Sequence, residues 1–282
     1  SMLFIPGNNP SMLQNSDVFE SDSIIIDLED AVNVMEKDSA RNLVRCYLDN
    51  LKEKKAELVI RINGLDTTYY NDDLNQIICD KVDAIMLPKA HVADLKKLDE
   101  ILTDLENQRK ITKKIKIIPI VELAESLLEV EKIVFQNRVD GVLLGAEDFS
   151  SDLEVVRTKG GEEIFYARSR IAVSCAAAKI DAIDTPFTDT KDNIGLAKDC
   201  EKAISLGMKS KSCIHPNQIE VVNEMFSPSQ KTIDWAKRIL QAKIDADKKG
   251  LGAFSVDGKM VDKPVIERAQ KIIKKAEKYH IL

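Results

Sequence analysis

Short runs of branched apolar residues recur along this chain, separated by longer stretches of mixed charge. The runs occupy positions 2–5, 23–27, 58–63, 83–88, 116–121, 140–145, 180–185 and 209–214. Each has the length of a strand and is bounded by charged or turn-forming residues. The segments between them carry apolar residues at helical spacing. "SARNLVRCYLDNLKEK" and "VADLKKLDEILTDLENQRK" show this most clearly, and "EEIFYARSRIAVSCAAAK" and "IGLAKDCEKAISLG" share it. Strands that are apolar nearly throughout, alternating with helices, predict a parallel sheet covered on both faces. Eight of them in this alternation predict an α/β fold of the TIM (β/α)8 barrel type. A doubly wound open sheet is the rival. Against it, "GNNP" after the first strand is not G-x-G-x-x-G, and no Walker sequence occurs.

After the eighth strand the pattern changes. "QKTIDWAKRILQAKIDADKKG" predicts a long helix closed by Gly250. A turn-rich excursion follows, with Asp257-Gly258 as a hairpin turn. "VIERAQKIIKKAEKYH" predicts a last helix, with Pro264 suited to its first turn. The expected division is a barrel over 1–228 and a C-terminal helical extension over 229–282.

Composition narrows the function. A 282-residue chain that is 44% apolar can bury a large core within one barrel. A net charge of −6 argues against a nucleic-acid surface. The apolar runs are too short to span a bilayer, and no signal peptide is visible. Cys46, Cys79, Cys175, Cys200 and Cys213 are scattered without a C-x-x-C pair, as expected of reduced thiols in the cytoplasm. His91, His215 and His280 are too few and too dispersed for a multi-histidine metal site. Trp235 and the methionines read as core or interface.

In a barrel, catalytic groups collect where strands end. The second strand runs into Asp27, Glu29 and Asp30. The third carries Arg61, the fourth leads to Pro88-Lys89, and the fifth to Glu122. The sixth ends in "GAED", giving Glu147 and Asp148, and the seventh in Asp184. One carboxylate in such a place is usually a helix N-cap; so many together suggest a site. Carboxylates without a histidine or cysteine cluster select a hard divalent cation, and Mg²⁺ fits best. Glu122 and Asp148 end adjacent strands and can face one ion. Arg61 suits a substrate carboxylate or a developing oxyanion. The residues alone predict a metal-assisted enzyme acting on a small oxo- or hydroxy-acid.

The stretches "SMLFIPGNNPSML", "IIIDLEDAV", "RINGLDT", "MLPK", "GAEDF" and "DGKMVDKPVIERAQ" occur in family order between Met2 and about Ala276. Together they resemble the citrate lyase beta-subunit family (citryl-ACP lyase). That family is grouped with malyl-CoA and citramalyl-CoA lyases in a class II aldolase-like superfamily. The resemblance implies a TIM barrel assembled as a homotrimer or hexamer, with citrate lyase alpha and acyl-carrier gamma subunits as partners. It implies a retro-Claisen cleavage of a CoA or ACP thioester, such as citryl-CoA or citryl-ACP, to oxaloacetate and an acetyl thioester. It also implies roles: Glu122 and Asp148 as metal ligands, Arg61 as the group that binds the oxo-acid and steadies the enolate, and Asp262 as a general acid/base delivered across a subunit interface.

Glu29 and Asp30 are then expected beside the metal, holding its waters and orienting Arg61 or Lys89. Asp27 either joins them or caps the following helix. The loop of Pro6, Gly7 and Asn8 either lies near the pantetheine or nucleotide of the thioester or is an ordinary tight turn. Lys89, its approach fixed by Pro88, is expected to touch substrate. His215 stands in "SKSCIHPNQI", where beta subunits more often have asparagine, and reads as structural. Relatives also carry a basic residue ahead of the first strand, where this sequence starts at "SMLF". The rival readings are a stand-alone malyl-CoA or citramalyl-CoA lyase, a thioesterase on the same frame, and a non-catalytic scaffold.

Overall fold

The computed structural model describes residues 1–248, 254–279 and 281–282. Its strands are β1 (Met2–Pro6), β2 (Ser23–Asp27), β3 (Glu57–Arg61), β4 (Ala84–Leu87), β5 (Lys116–Val121), β6 (Gly141–Leu144), β7 (Asp181–Asp184) and β8 (Ser210–Cys213). They pair in parallel in sequence order, and β1 closes the ring on β8. This is a TIM barrel.

Helices α1 (Pro10–Gln14), α2 (Lys37–Asn50), α3 (Tyr70–Ile77) and α4 (Val92–Arg109) follow the first four strands. Then come α5 (Ala124–Leu128), α6 (Val130–Ile133), α7 (Ala146–Asp152), α8 (Phe165–Ala178), α9 (Asn193–Leu206) and α10 (Ile219–Phe226). The amphipathic stripe of α4 buries Leu95, Leu98, Leu102 and Leu105, the 3–4 residue spacing that a core-facing helix requires.

The barrel interior is filled by Met2, Ile25, Val59, Ala84, Met86, Ile118, Ile120, Leu143 and Ile183, with Phe4 against them. Successive residues of a strand face opposite sides. Counting in twos from this core therefore sorts every strand end. Asp27, Arg61 and Glu122 continue the inward rows of Ile25, Val59 and Ile120; Asp184, next to inward Ile183, faces the helices.

The chain divides into two compact units, residues 1–223 and 224–282. In the second unit, α11 (Gln230–Lys248) and α12 (Lys263–Lys278) share a core of Ala236, Ile239 and Ala269, to which Val261 of the hairpin adds. Strands β9 (Phe254–Val256) and β10 (Lys259–Val261) form an antiparallel hairpin whose two-residue turn is Asp257-Gly258. Both turn residues take positive φ, 50° and 74°, as a type I′ turn demands. Pro264 lies in the first turn of α12. Gly250, the expected close of α11, and His280 lie outside the described residues.

Candidate active site

The centre of the site is Arg61 at the end of β3. The register of β2 on β3 sets Asp27 directly beside it. The two form a forked pair, Nε to Oδ1 at 2.8 Å and Nη2 to Oδ2 at 2.6 Å. Glu29 Oε2 approaches Nη1 at 2.9 Å and Asp30 Oδ2 at 3.8 Å. Phe4 lies under the guanidinium, 5.2 Å from ring centre to Cζ. Burial alone would lower the pKa of Arg61; Asp27, then Glu29 and Asp30, more than reverse that and hold the cation charged.

Asp27 does not cap the following helix, whose first turn Asn33 caps instead. Besides pairing with Arg61, it accepts from the N–H groups of Glu29 (2.8 Å) and Ala31 (3.0 Å), fixing the turn after β2. That turn is also held from behind. Lys37 Nζ donates to the carbonyls of Leu28 and Glu29, and buried Asn63 donates to Leu28 O and Asp73. Arg41 closes the network by donating to Asp73. Three carboxylates after a buried strand are thus met by one arginine and a braced loop.

Glu29 is the incompletely satisfied member. Its Oε2 is buried and makes no hydrogen bond, because its close approach to Arg61 Nη1 is poorly aligned. Burial pushes its carboxyl up to about 7; Arg61 opposes the shift while Asp30 and Asp27 add to it.

Glu122 follows β5 and is only 4% exposed. Its Oε1 accepts the Lys89 backbone N–H at 2.7 Å. Burial drives its carboxyl up to about 8, with the charges of Asp148 and Glu29 adding and the Lys89 N–H and Arg61 opposing. Glu122 therefore feels the ends of β2, β3 and β6 at once. Gly145 makes this possible: a Cβ there would stand 2.6 Å from both Glu122 Cβ and Oε2. Half-buried Asp148 lies in the first turn of α7.

Lys89 meets the site through its backbone. Its φ of 47° turns the chain after Pro88, and its main-chain N–H meets Glu122 while the side chain is exposed. The first loop also acts through backbone. Gly7 N–H donates to Asp27 O at 2.8 Å, while the side-chain amide of Asn8 turns away to donate to Glu36 Oε2 at 2.8 Å. Pro6 joins Phe4, Asp27, Asp30, Arg61, Pro186 and Ile214 in lining a cavity of about 400 Å³ beside Arg61. Asp262 belongs to the second unit; it is the N-cap of α12, where Oδ1 accepts from Val265 N at 3.3 Å. His215 caps the turn at Asn217 and is structural there.

Two carboxylates leave the ring. Asp184 is fully buried and held by Arg168 (2.8 and 3.0 Å) and Lys211 (2.6 Å), which also grip Asp199. It pins β7 to α8 and α9, as its outward parity requires. Glu147 is exposed and lies 3.6 Å from Arg157.

Among the described residues no group of three or more His, Cys, Asp or Glu side chains is set to hold a metal. A pair of carboxylates with an unsatisfied neighbour still suits Mg²⁺, which needs one or two and fills its shell with water and substrate oxygens. The donors are all oxygen, one of them too buried to stay ionised readily, and Glu29 Oε2 is left without a hydrogen bond beside them.

Residues 1–216 match the HpcH/HpaI aldolase/citrate lyase family model. The chain belongs to that family. Citrate lyase subunit beta of Leuconostoc mesenteroides subsp. cremoris is 39% identical, over 100% of this chain and 94% of its own length. The L-malyl-CoA/beta-methylmalyl-CoA lyase of Cereibacter sphaeroides is 33% identical, over 98% and 93%. Among solved structures, the protein CitE of Mycobacterium tuberculosis, in complex with magnesium, acetoacetate and coenzyme A, superposes with a TM-score of 0.81. It is 29% identical, over 98% of this chain and 97% of that one. No described helix is long and apolar enough to cross a membrane.

Proposed function

We propose that this chain is a Mg²⁺-dependent carbon–carbon lyase that cleaves a citryl thioester to oxaloacetate and an acetyl thioester. The observation that carries this reading is one layer of the barrel: Arg61, gripped by Asp27 and Glu29, shares it with Glu122, whose charge is coupled to Asp148. A cation site beside a fixed guanidinium is what an oxo-acid product needs.

The reaction breaks one C–C bond. The substrate hydroxyl loses its proton and becomes the oxo-acid carbonyl. The bonding pair moves to the acyl α-carbon as an enolate, which then takes a proton and becomes methyl. Glu122 and Asp148 would hold the ion, which when bound draws electron density from the oxo-acid oxygens. Arg61 binds the oxo-acid and faces the enolate oxygen, its orientation set in advance by Asp27. The apolar wall of Phe4, Pro186 and Ile214 keeps water from the enolate. Asp262 is the proposed acid/base at the α-carbon, reaching a neighbouring protomer's site in a homotrimer or hexamer. Glu29 and Asp30 orient Arg61 and receive bound water. The first loop, from Pro6 to Asn8, borders the thioester through its backbone, as Lys89 borders Glu122. We assign the working form to the cytoplasm, beside an alpha subunit and an acyl-carrier gamma subunit.

The test supplies citryl-CoA, (S)-malyl-CoA and citramalyl-CoA in turn, with Mg²⁺ or EDTA, and assays 2-oxo acid, acetyl-CoA and free CoA. Mg²⁺-dependent oxaloacetate matched by acetyl-CoA is the expected result. Glyoxylate or pyruvate in its place would mark a stand-alone malyl-CoA or citramalyl-CoA lyase. Free CoA without 2-oxo acid would overturn the lyase reading for a thioesterase.

A further inference from the structure

The N–H of Ala146, first residue of α7, needs a partner, as the leading N–H groups of any helix do. The residue before it cannot give one. Gly145 has no side chain, and the space where one would start is taken by Glu122. The partner comes instead from the neighbouring strand: Thr185 Oγ1 accepts from Ala146 N at 3.2 Å. Thr185 is fully buried and continues the inward row of Ile183. Its carbonyl in turn accepts from Lys211 Nζ at 2.7 Å. Lys211 gives its other donors to Asp184 and Asp199, each at 2.6 Å, so all three are used. The backbone of Thr185 is thus tied to a buried cluster of charges.

We propose that Thr185 is a positioning residue for Asp148: its hydroxyl fixes the first turn of α7 so that Asp148 and Glu122 face one cation. The inference rests on reading those two carboxylates as metal ligands. Gly145 and Thr185 are then two halves of one solution. The glycine clears space for Glu122, and the threonine hydroxyl satisfies the N–H of Ala146, which no side chain at the N-cap position would reach. Serine keeps the acceptor; valine and alanine remove it.

The experiment measures Mn²⁺ affinity of the full chain, read from the EPR signal of the free ion, with melting temperatures alongside. Thr185→Val and Thr185→Ala are expected to bind Mn²⁺ about 10–100-fold more weakly, the usual cost of removing a group that orients a ligand. Thr185→Ser is expected to stay within about threefold of wild type, since its hydroxyl keeps the bond. If Thr185→Val does not fold, the smaller Thr185→Ala decides. Lower melting temperatures with unchanged Mn²⁺ affinity would overturn the proposal, because a merely structural threonine would give that result. Asp148→Asn separates the two claims. Wild-type affinity in Asp148→Asn overturns the ligand reading itself; lost affinity there, with Thr185→Val and Thr185→Ala unchanged, overturns only the role of Thr185.

Discussion

Arg61 and Asp27 face each other on neighbouring strands as a two-pronged pair, Nε–Oδ1 2.8 Å and Nη2–Oδ2 2.6 Å. The fork uses two of the three guanidinium nitrogens and leaves the third, Nη1, beside Glu29 and Asp30. Lysine keeps the charge but not the fork. Arg61→Lys should therefore lower kcat/KM by about 10²–10³-fold, the scale for loss of an oriented oxyanion donor. Metal affinity should stay within about threefold, since Arg61 is not a ligand. A variant with near-wild-type turnover would show that charge alone suffices and that the fork is not what the reaction uses.

Gly145 makes a second prediction because its neighbour has nowhere to go. Glu122 is held by Lys89 N–H on one oxygen and lies against Gly145 with the other. Gly145→Ala adds one methyl group in a space already filled, and overpacking of that kind costs about 1–3 kcal/mol. The displaced atoms are those proposed to bind the ion, so activity at limiting Mg²⁺ should fall at least about tenfold, by the precedent of perturbed ligand settings. Saturating Mg²⁺ should recover part of it. Equal loss at all Mg²⁺ concentrations would place the damage elsewhere.

Lys211 is 0% exposed and flanked by Asp184 and Asp199, with Arg168 completing a neutral quartet. Burial opposes its charge, but the two aspartates hold its pKa above the ordinary lysine value. Lys211→Met would leave two buried carboxylates facing one arginine. Breaking a buried pair from one side costs about 3–5 kcal/mol, so urea unfolding should show a loss of that size. A loss under about 1 kcal/mol would mean that water enters the cluster and screens it.

The barrel was legible because parallel strands buried on both faces read as unbroken apolar runs, and all eight fell where the structure has them within a residue or two. The ends of those runs were legible as a ring, but not which members belonged to it. Asp184 looked equivalent to Asp27. The difference is one of parity, and counting in twos from Ile183 and Ile25 would have separated them. The pairing of Asp27 with Arg61 depends on the register of β2 against β3, which no local pattern encodes. Lys89 showed its side chain to the sequence and its backbone to the site. Thr185 and Gly145 were passed over because neither carries charge; their roles are to yield space and to cap a helix from another strand.

The loop that follows α7 gives a prediction in pH. Glu163 accepts from Thr158 N at 2.9 Å, Thr158 Oγ1 at 2.8 Å and Arg157 Nη1 at 2.6 Å. Burial would raise its pKa, but these bonds to the ionised form outweigh it and lower the value from 4.5 to about 2. The folded state therefore holds this proton more weakly than the unfolded chain does. The stability it contributes is full above pH 4.5 and is lost as the pH falls from there through about 2. Glu163→Gln should then cost about 1.5–3 kcal/mol near pH 6, the range for hydrogen bonds to a charged group. In urea unfolding at pH 6 and pH 3, the gap between variant and wild type should narrow on acidification. A gap that held constant across that interval would mean that the charge of Glu163 contributes nothing, and that only its shape supports the turn between Arg157 and Glu163.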